Sequence, residues 1–154
     1  MSINLLTQNH SFNKNFEIIA LYAEVLAKYH GLDKEEIFLI KKAITQNHKE
    51  QLETFDTLQN KQFEFIASNI AYERHERYDG NGYPMGLKDE EISIHGRIVA
   101  LANYIYTLGK NQLFWDNENI FEMIKNEKGK QFDPKLVDIF FDNLQEFFTI
   151  YKKL

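Results

Sequence analysis

Cysteine is absent from this 154-residue chain. That excludes a disulfide scaffold, a cysteine-ligated zinc site and a thiol nucleophile, and it suits a reducing, cytoplasmic compartment. Only 2 Pro and 7 Gly are present, too few breakers for a loop-rich or all-β fold, so long helices are expected. Long hydrophobic runs are missing too. The most apolar stretch, residues 16–27, is interrupted by Glu17 and Glu24 and falls short of the roughly 20 apolar residues that cross a bilayer. The opening Met1-Ser2-Ile3-Asn4 has no basic region leading into an apolar block, so neither a signal peptide nor direct membrane insertion is expected. Basic charge is in deficit: 18 Lys+Arg against 23 Asp+Glu give a net charge of −5. General nucleic-acid binding, which rests on a cationic face, is not expected.

Apolar mass is plentiful. Hydrophobic residues make up 44% of the chain, with 13 Phe, 8 Tyr and 1 Trp, enough for one domain over residues 1–154 with a substantial core. The periodicity is helical nearly throughout. Phe16, Ile19, Ala20, Ala23, Leu26 and Ala27 share one face of a first helix, and Gly31 closes it. Asp33 and Glu36 have the spacing of a capping box for a second helix burying Ile37, Ile40, Ala43 and Ile44. Phe63, Ile66, Ala67, Ile70 and Ala71 mark a third. A fourth carries Ile94, Ile98, Leu101, Ala102 and Ile105, and a short fifth Ile120, Met123 and Ile124. Asp133-Pro134 starts a last helix running to Tyr151, with Asp as N-cap and Pro in the first turn. The expected fold class is all-α, a single compact bundle of about six helices.

Between the third and fourth helices stands Arg74-His75-Glu76-Arg77-Tyr78-Asp79-Gly80-Asn81-Gly82-Tyr83-Pro84. Two glycines and a proline within five residues cannot continue a helix. The segment resembles the signature of the HD-GYP family: His-His-Glu, two residues, Asp-Gly, one residue, Gly-Tyr-Pro. Every position matches except the first His, which here is Arg74. The resemblance continues through Gly86-Leu87-Lys88, Glu91-Ile92, Arg97-Ile98-Val99-Ala100 and Phe132-Asp133-Pro134, and upstream through residues 15–27 and 31–47. It implies an HD-domain-like helical fold. Active members are metal-dependent phosphodiesterases of cyclic di-GMP. Their two or three iron or manganese ions are held by His, Asp and Glu side chains and activate a bridging water.

The resemblance also locates the ligand positions, and this chain departs from most of them. Asn15 replaces the His of the first helix. Asn47-His48 stands for the His-Asp pair, Arg74 for the first His of His-His, and Asn103 for the Asp of the following helix. His48 and His75 remain as remnants. Arg74 matters most, because a guanidinium keeps its proton. Against a dication about 4 Å away, at an effective dielectric of about 20, the repulsion is roughly 8 kcal/mol. No cofactor and no catalytic residue are therefore expected.

Other features have two readings each. His75 and Glu76 are either metal-site remnants or structural groups, with Glu76 paired to Arg74 or Arg77. Arg74, Arg77 and Arg97 are candidate nucleotide contacts, or else members of surface ion pairs. His95, near a helix start, is expected at the surface. Asp79, Gly80, Gly82, Tyr83 and Pro84 form either a protein-binding loop or only the turn into the fourth helix. The stripe of Phe140, Phe141, Leu144, Phe147, Phe148 and Tyr151 is core, with part of its wide arc available to a second subunit. The expected function is a catalytically inactive regulatory or scaffolding module in bacterial signalling. A signalling or diguanylate cyclase domain is the expected kind of partner. The alternatives are a phosphodiesterase with an unorthodox metal set and a non-hydrolysing cyclic di-GMP receptor.

Overall fold

The structure, a computed structural model, describes residues 3–46, 58–110, 115 and 118–153, with the backbone alone for 3–13, 58 and 59. Among the described residues there are seven α-helices and no strands: α1 (Ile3–His30), α2 (Lys34–Thr45), α3 (Leu58–Glu73), α4 (Ile94–Gly109), α5 (Glu118–Asn126), α6 (Pro134–Asp142) and α7 (Leu144–Tyr151). The fold is all-α. No described helix is long and apolar enough to cross a membrane.

The long first helix is the post around which the others pack. It touches α2, α4, α6 and α7, while α3 lies against α2 and α4. Its end follows from chemistry: Gly31 takes a positive φ of 102°. The Leu32 N–H donates to the Ala27 carbonyl at 3.0 Å and the Gly31 N–H to Lys28 at 3.2 Å, the paired bonds of a Schellman stop. Helix α2 begins where Asp33 accepts the Glu36 N–H at 2.8 Å. The expected reciprocal half of that box is replaced. The Glu36 carboxylate reaches His95 Nε2 at 2.8 Å instead. His95, expected at the surface, is buried, and this bond ties the start of α2 to the start of α4.

The core joins Ile19, Tyr22, Ala23 and Leu26 of α1 to Ile98, Leu101, Ala102 and Ile105 of α4, then to Leu136, Val137, Phe140 and Phe147. Two further expectations need correction. Met123 of α5 faces outward and only Ile124 is buried there, because nine residues pack a narrow stripe. The expected single last helix is two. At Asn143 the backbone turns to φ −123°, ψ 23°, and the Asn143 side chain donates back to the Ile139 carbonyl at 2.8 Å. That local bond competes with helix propagation, and the break is why helices number seven. It lets Phe140 and Phe147 meet edge to face at 4.9 Å, with both fully buried.

Phe140→Ala should cost about 3–5 kcal/mol, because both transfer and cavity terms apply. The melting temperature should fall by roughly 10 °C by calorimetry. A shift under 3 °C would mean that the α6–α7 break is not seated as described.

Candidate functional site

The end of α3 is where the elements converge. Glu73 and Glu76 are both buried, and neither pairs with an arginine. Glu76 Oε1 accepts the Met85 N–H at 2.7 Å and Oε2 the Leu87 N–H at 3.0 Å. Glu73 Oε2 accepts the Ser93 N–H at 2.9 Å. The expected pairing of Glu76 with Arg74 or Arg77 is thus replaced by backbone capture, which satisfies a buried carboxylate with fixed donors. It also pins the loop that follows.

That loop is tightly wound. Its Tyr83 N–H donates to the His75 carbonyl at 3.2 Å, and the Asp79 N–H donates to Lys130 at 2.8 Å. Gly82 passes so close to the end of α3 that a Cβ would stand 2.3 Å from the Arg77 backbone nitrogen. Gly80 turns with a positive φ of 82°. Asp79 receives Arg77 Nη2 at 3.1 Å and the Asn81 N–H at 3.0 Å. The Arg77 hydrogen bonds hold the Asp79 carboxyl below the usual carboxylate range, assisted by Asn81. This pairing stabilises the fold at neutral pH, and the contribution is lost as pH falls through the depressed value. Tyr83 projects, 63% exposed, beside exposed Pro84 and Met85. Its ring stacks on His75 with centroids 5.1 Å apart and planes 14° from parallel.

Behind His75 a cleft of about 550 Å³ opens between α1, α2, α3 and α4. Its floor is apolar, with Phe16, Ile19, Ile44, Ile70 and Val99, and its rim polar, with Thr45, Gln46, Asn103, Thr107 and Gln131. Arg74 and His75 stand at the edge. Burial raises the Tyr104 phenol above its usual range, so this lining residue is a neutral hydroxyl at physiological pH.

Of the positions singled out from sequence, Arg74, His75 and Asn103 thus share one cleft. Asn15 precedes its lining residue Phe16 and is half-buried without lining it. Asn47 and His48 lie outside the described residues, next to Gln46. The candidate phosphate-holding arginines separate. Arg97 is committed to Asp133 at 2.5 Å and to the Ile92 carbonyl at 3.0 Å, almost fully buried. Arg77 is engaged by Asp79 and by Glu127 at 3.3 Å. The Arg97–Asp133 pair is structural, since breaking a buried pair strands a charge, whereas the Arg77 pairs are partly exposed. Sequence reading missed Thr45, Thr107 and Gln131, which sit at no recognised spacing.

The donor set among the described residues does not fit a dinuclear metal centre. Among the described residues no three His, Asp or Glu side chains cluster to hold a cation, and the cleft offers one imidazole, neutral amides and a guanidinium. The two carboxylates at the end of α3, Glu73 and Glu76, are occupied by backbone N–H groups.

Comparison with known proteins places this site in context. A family model described as HD domain matches residues 19–136. The 3'3'-cGAMP-specific phosphodiesterase 2 of Vibrio cholerae is 30% identical over an alignment covering 88% of this chain and 32% of that protein. A cyclic di-GMP phosphodiesterase of Thermotoga maritima is 34% identical over 57% of this chain and 25% of its own length. The chain thus spans about a third or less of the length of these relatives. Among solved structures, a cyclic GMP-AMP specific phosphodiesterase of Vibrio cholerae superposes with a TM-score of 0.63 at 13% identity, covering 88% of this chain and 45% of that one. That likeness is one of fold.

Gly82→Ala should destabilise the protein by about 2 kcal/mol or more, because the intruding Cβ meets backbone that cannot swing away. Tyr83→Ala should cost less than about 1 kcal/mol, as exposed positions do. Urea midpoints check both. A Tyr83→Ala loss larger than that of Gly82→Ala would show that the Tyr83 ring, more than the glycine approach, holds the loop.

Proposed function

The chain belongs to the HD-domain family, and within it we propose a regulatory module that binds a cyclic dinucleotide without hydrolysing it. The supporting observation is the cleft of about 550 Å³ lined jointly by Arg74, His75 and Asn103. Its size lies in the range of small-molecule sites, and its apolar floor with a polar rim suits a base and its edge groups. The ligand class is taken from relatives named as cyclic di-GMP and 3'3'-cGAMP phosphodiesterases. Hydrolysis is left out of the reading for a chemical reason. Attack on a phosphodiester in such enzymes uses clustered cations to activate water, and a guanidinium with a neutral amide supplies no anionic ligands to hold them.

The scaffolding role attaches to the loop. Tyr83 and Met85 offer exposed apolar surface on a backbone already pinned by Glu76, so little ordering entropy would be lost when a protein partner docks. The Tyr83–His75 stack joins this surface to the cleft edge, which gives ligand binding a short physical route to the loop.

Calorimetry with cyclic di-GMP and 3'3'-cGAMP should show saturable binding to one of the two. Chromatography after incubation with manganese or ferrous iron should recover the ligand intact. Protein purified without chelator should carry well under one equivalent of iron, manganese or zinc. Linear dinucleotide that disappears in His75→Ala would make the chain a phosphodiesterase instead. Failure of both nucleotides to bind would remove the receptor reading and leave the loop as the functional surface.

A further inference from the structure

The three arginines of this chain are Arg74, Arg77 and Arg97. Two are neutralised inside the fold, Arg77 by Asp79 and Glu127 and Arg97 by Asp133. Among the described residues no ion pair engages Arg74. The carboxylates nearest to it in sequence, Glu73 and Glu76, are buried and accept from the backbone N–H groups of Ser93, Met85 and Leu87. Among the described residues no aspartate or glutamate lines the cleft, and the permanently charged group among those lining it is the Arg74 guanidinium. In a protein of net charge −5, the described lining of this cleft is positive.

The geometry points to Arg74 as a built-in replacement for a divalent metal: a fixed cation that holds a phosphodiester anion in this cleft with no metal ion required. This deepens the receptor reading and rests on it for the identity of the ligand. The physical reason is charge and shape. A guanidinium presents paired N–H donors that match two phosphate oxygens, and it stays charged at any pH of interest. It anchors the anion but cannot ionise a water, so capture is separated from cleavage. The neutral donors alongside, Asn103, Gln46 and Thr107, add hydrogen bonds without adding opposing charge. The neutral Tyr104 phenol does the same. Because Arg74 is exposed at the cleft edge, the interaction is open to salt screening.

The test measures binding of cyclic di-GMP and 3'3'-cGAMP by calorimetry to the full chain, once in EDTA and once in manganese. For whichever binds, the expected result is equal affinity in the two buffers within about twofold. Arg74→Ala should weaken binding at least tenfold with an unchanged melting temperature, Arg74→Lys should fall between, and raising salt should weaken the wild type more than Arg74→Ala. Binding that appears only with manganese, or an Arg74→Ala affinity within twofold of wild type, overturns the inference. If neither nucleotide binds, the receptor reading fails by itself. A second measurement then decides Arg74, following its Nε–Hε NMR resonance during titration with inorganic pyrophosphate in EDTA. A saturable shift at a chain-to-anion ratio of one supports the anion site, and no shift overturns it.

Discussion

Two carboxylates at the end of α3 organise this protein. Glu73 and Glu76 are buried, and a buried carboxylate is tolerated only where donors satisfy it. Here the donors are backbone N–H groups at Ser93, Met85 and Leu87. The same bonds that satisfy the charges also settle where the loop after α3 runs and where α4 begins. Gly96 of α4 approaches Glu73 so closely that a Cβ would lie 2.8 Å from its carboxylate. Gly82 is pressed just as hard against the α3 terminus. The loop is therefore an extension of the bundle rather than a mobile appendage, and Tyr83 is displayed from a rigid base.

This arrangement sets the electrostatics of the cleft. With Glu73 and Glu76 turned inward, the residues between them in sequence, Arg74 and His75, are left at the cleft edge. An overall acidic charge says nothing about such a site, because screening confines exposed charges to about 8–10 Å at physiological salt. What counts is which charges are already paired. Arg77 and Arg97 illustrate it: both were candidate nucleotide contacts, and both are engaged by carboxylates of the fold.

The helical class, the α1, α3 and α4 core stripes and the α6 cap were legible in the chain, because each depends on residues three or four apart. Asp133 caps α6 through its Lys135 N–H bond as its position predicts. Less legible were features set by partners far away in sequence. Glu36 has the spacing of a capping box, yet its carboxylate goes to His95, 59 residues on. His95 is consequently buried and not at the surface. The break at Asn143 was hidden because apolar periodicity runs unbroken through it, whereas the side-chain bond to Ile139 that interrupts the helix is a local competition that periodicity does not record.

By itself the sequence determined the bundle and its family, since both rest on local periodicity and on a contiguous motif between Arg74 and Pro84. It also supplied the guanidinium, imidazole and amide of Arg74, His75 and Asn103 that line the cleft. Only the tertiary structure decided which of the three arginines the described carboxylates neutralise. Ion pairing is a matter of approach in space, and Asp133 and Glu127 are 36 and 50 residues from the arginines they neutralise. The side-chain chemistry was written in the chain, but its availability depended on where every competing carboxylate came to rest.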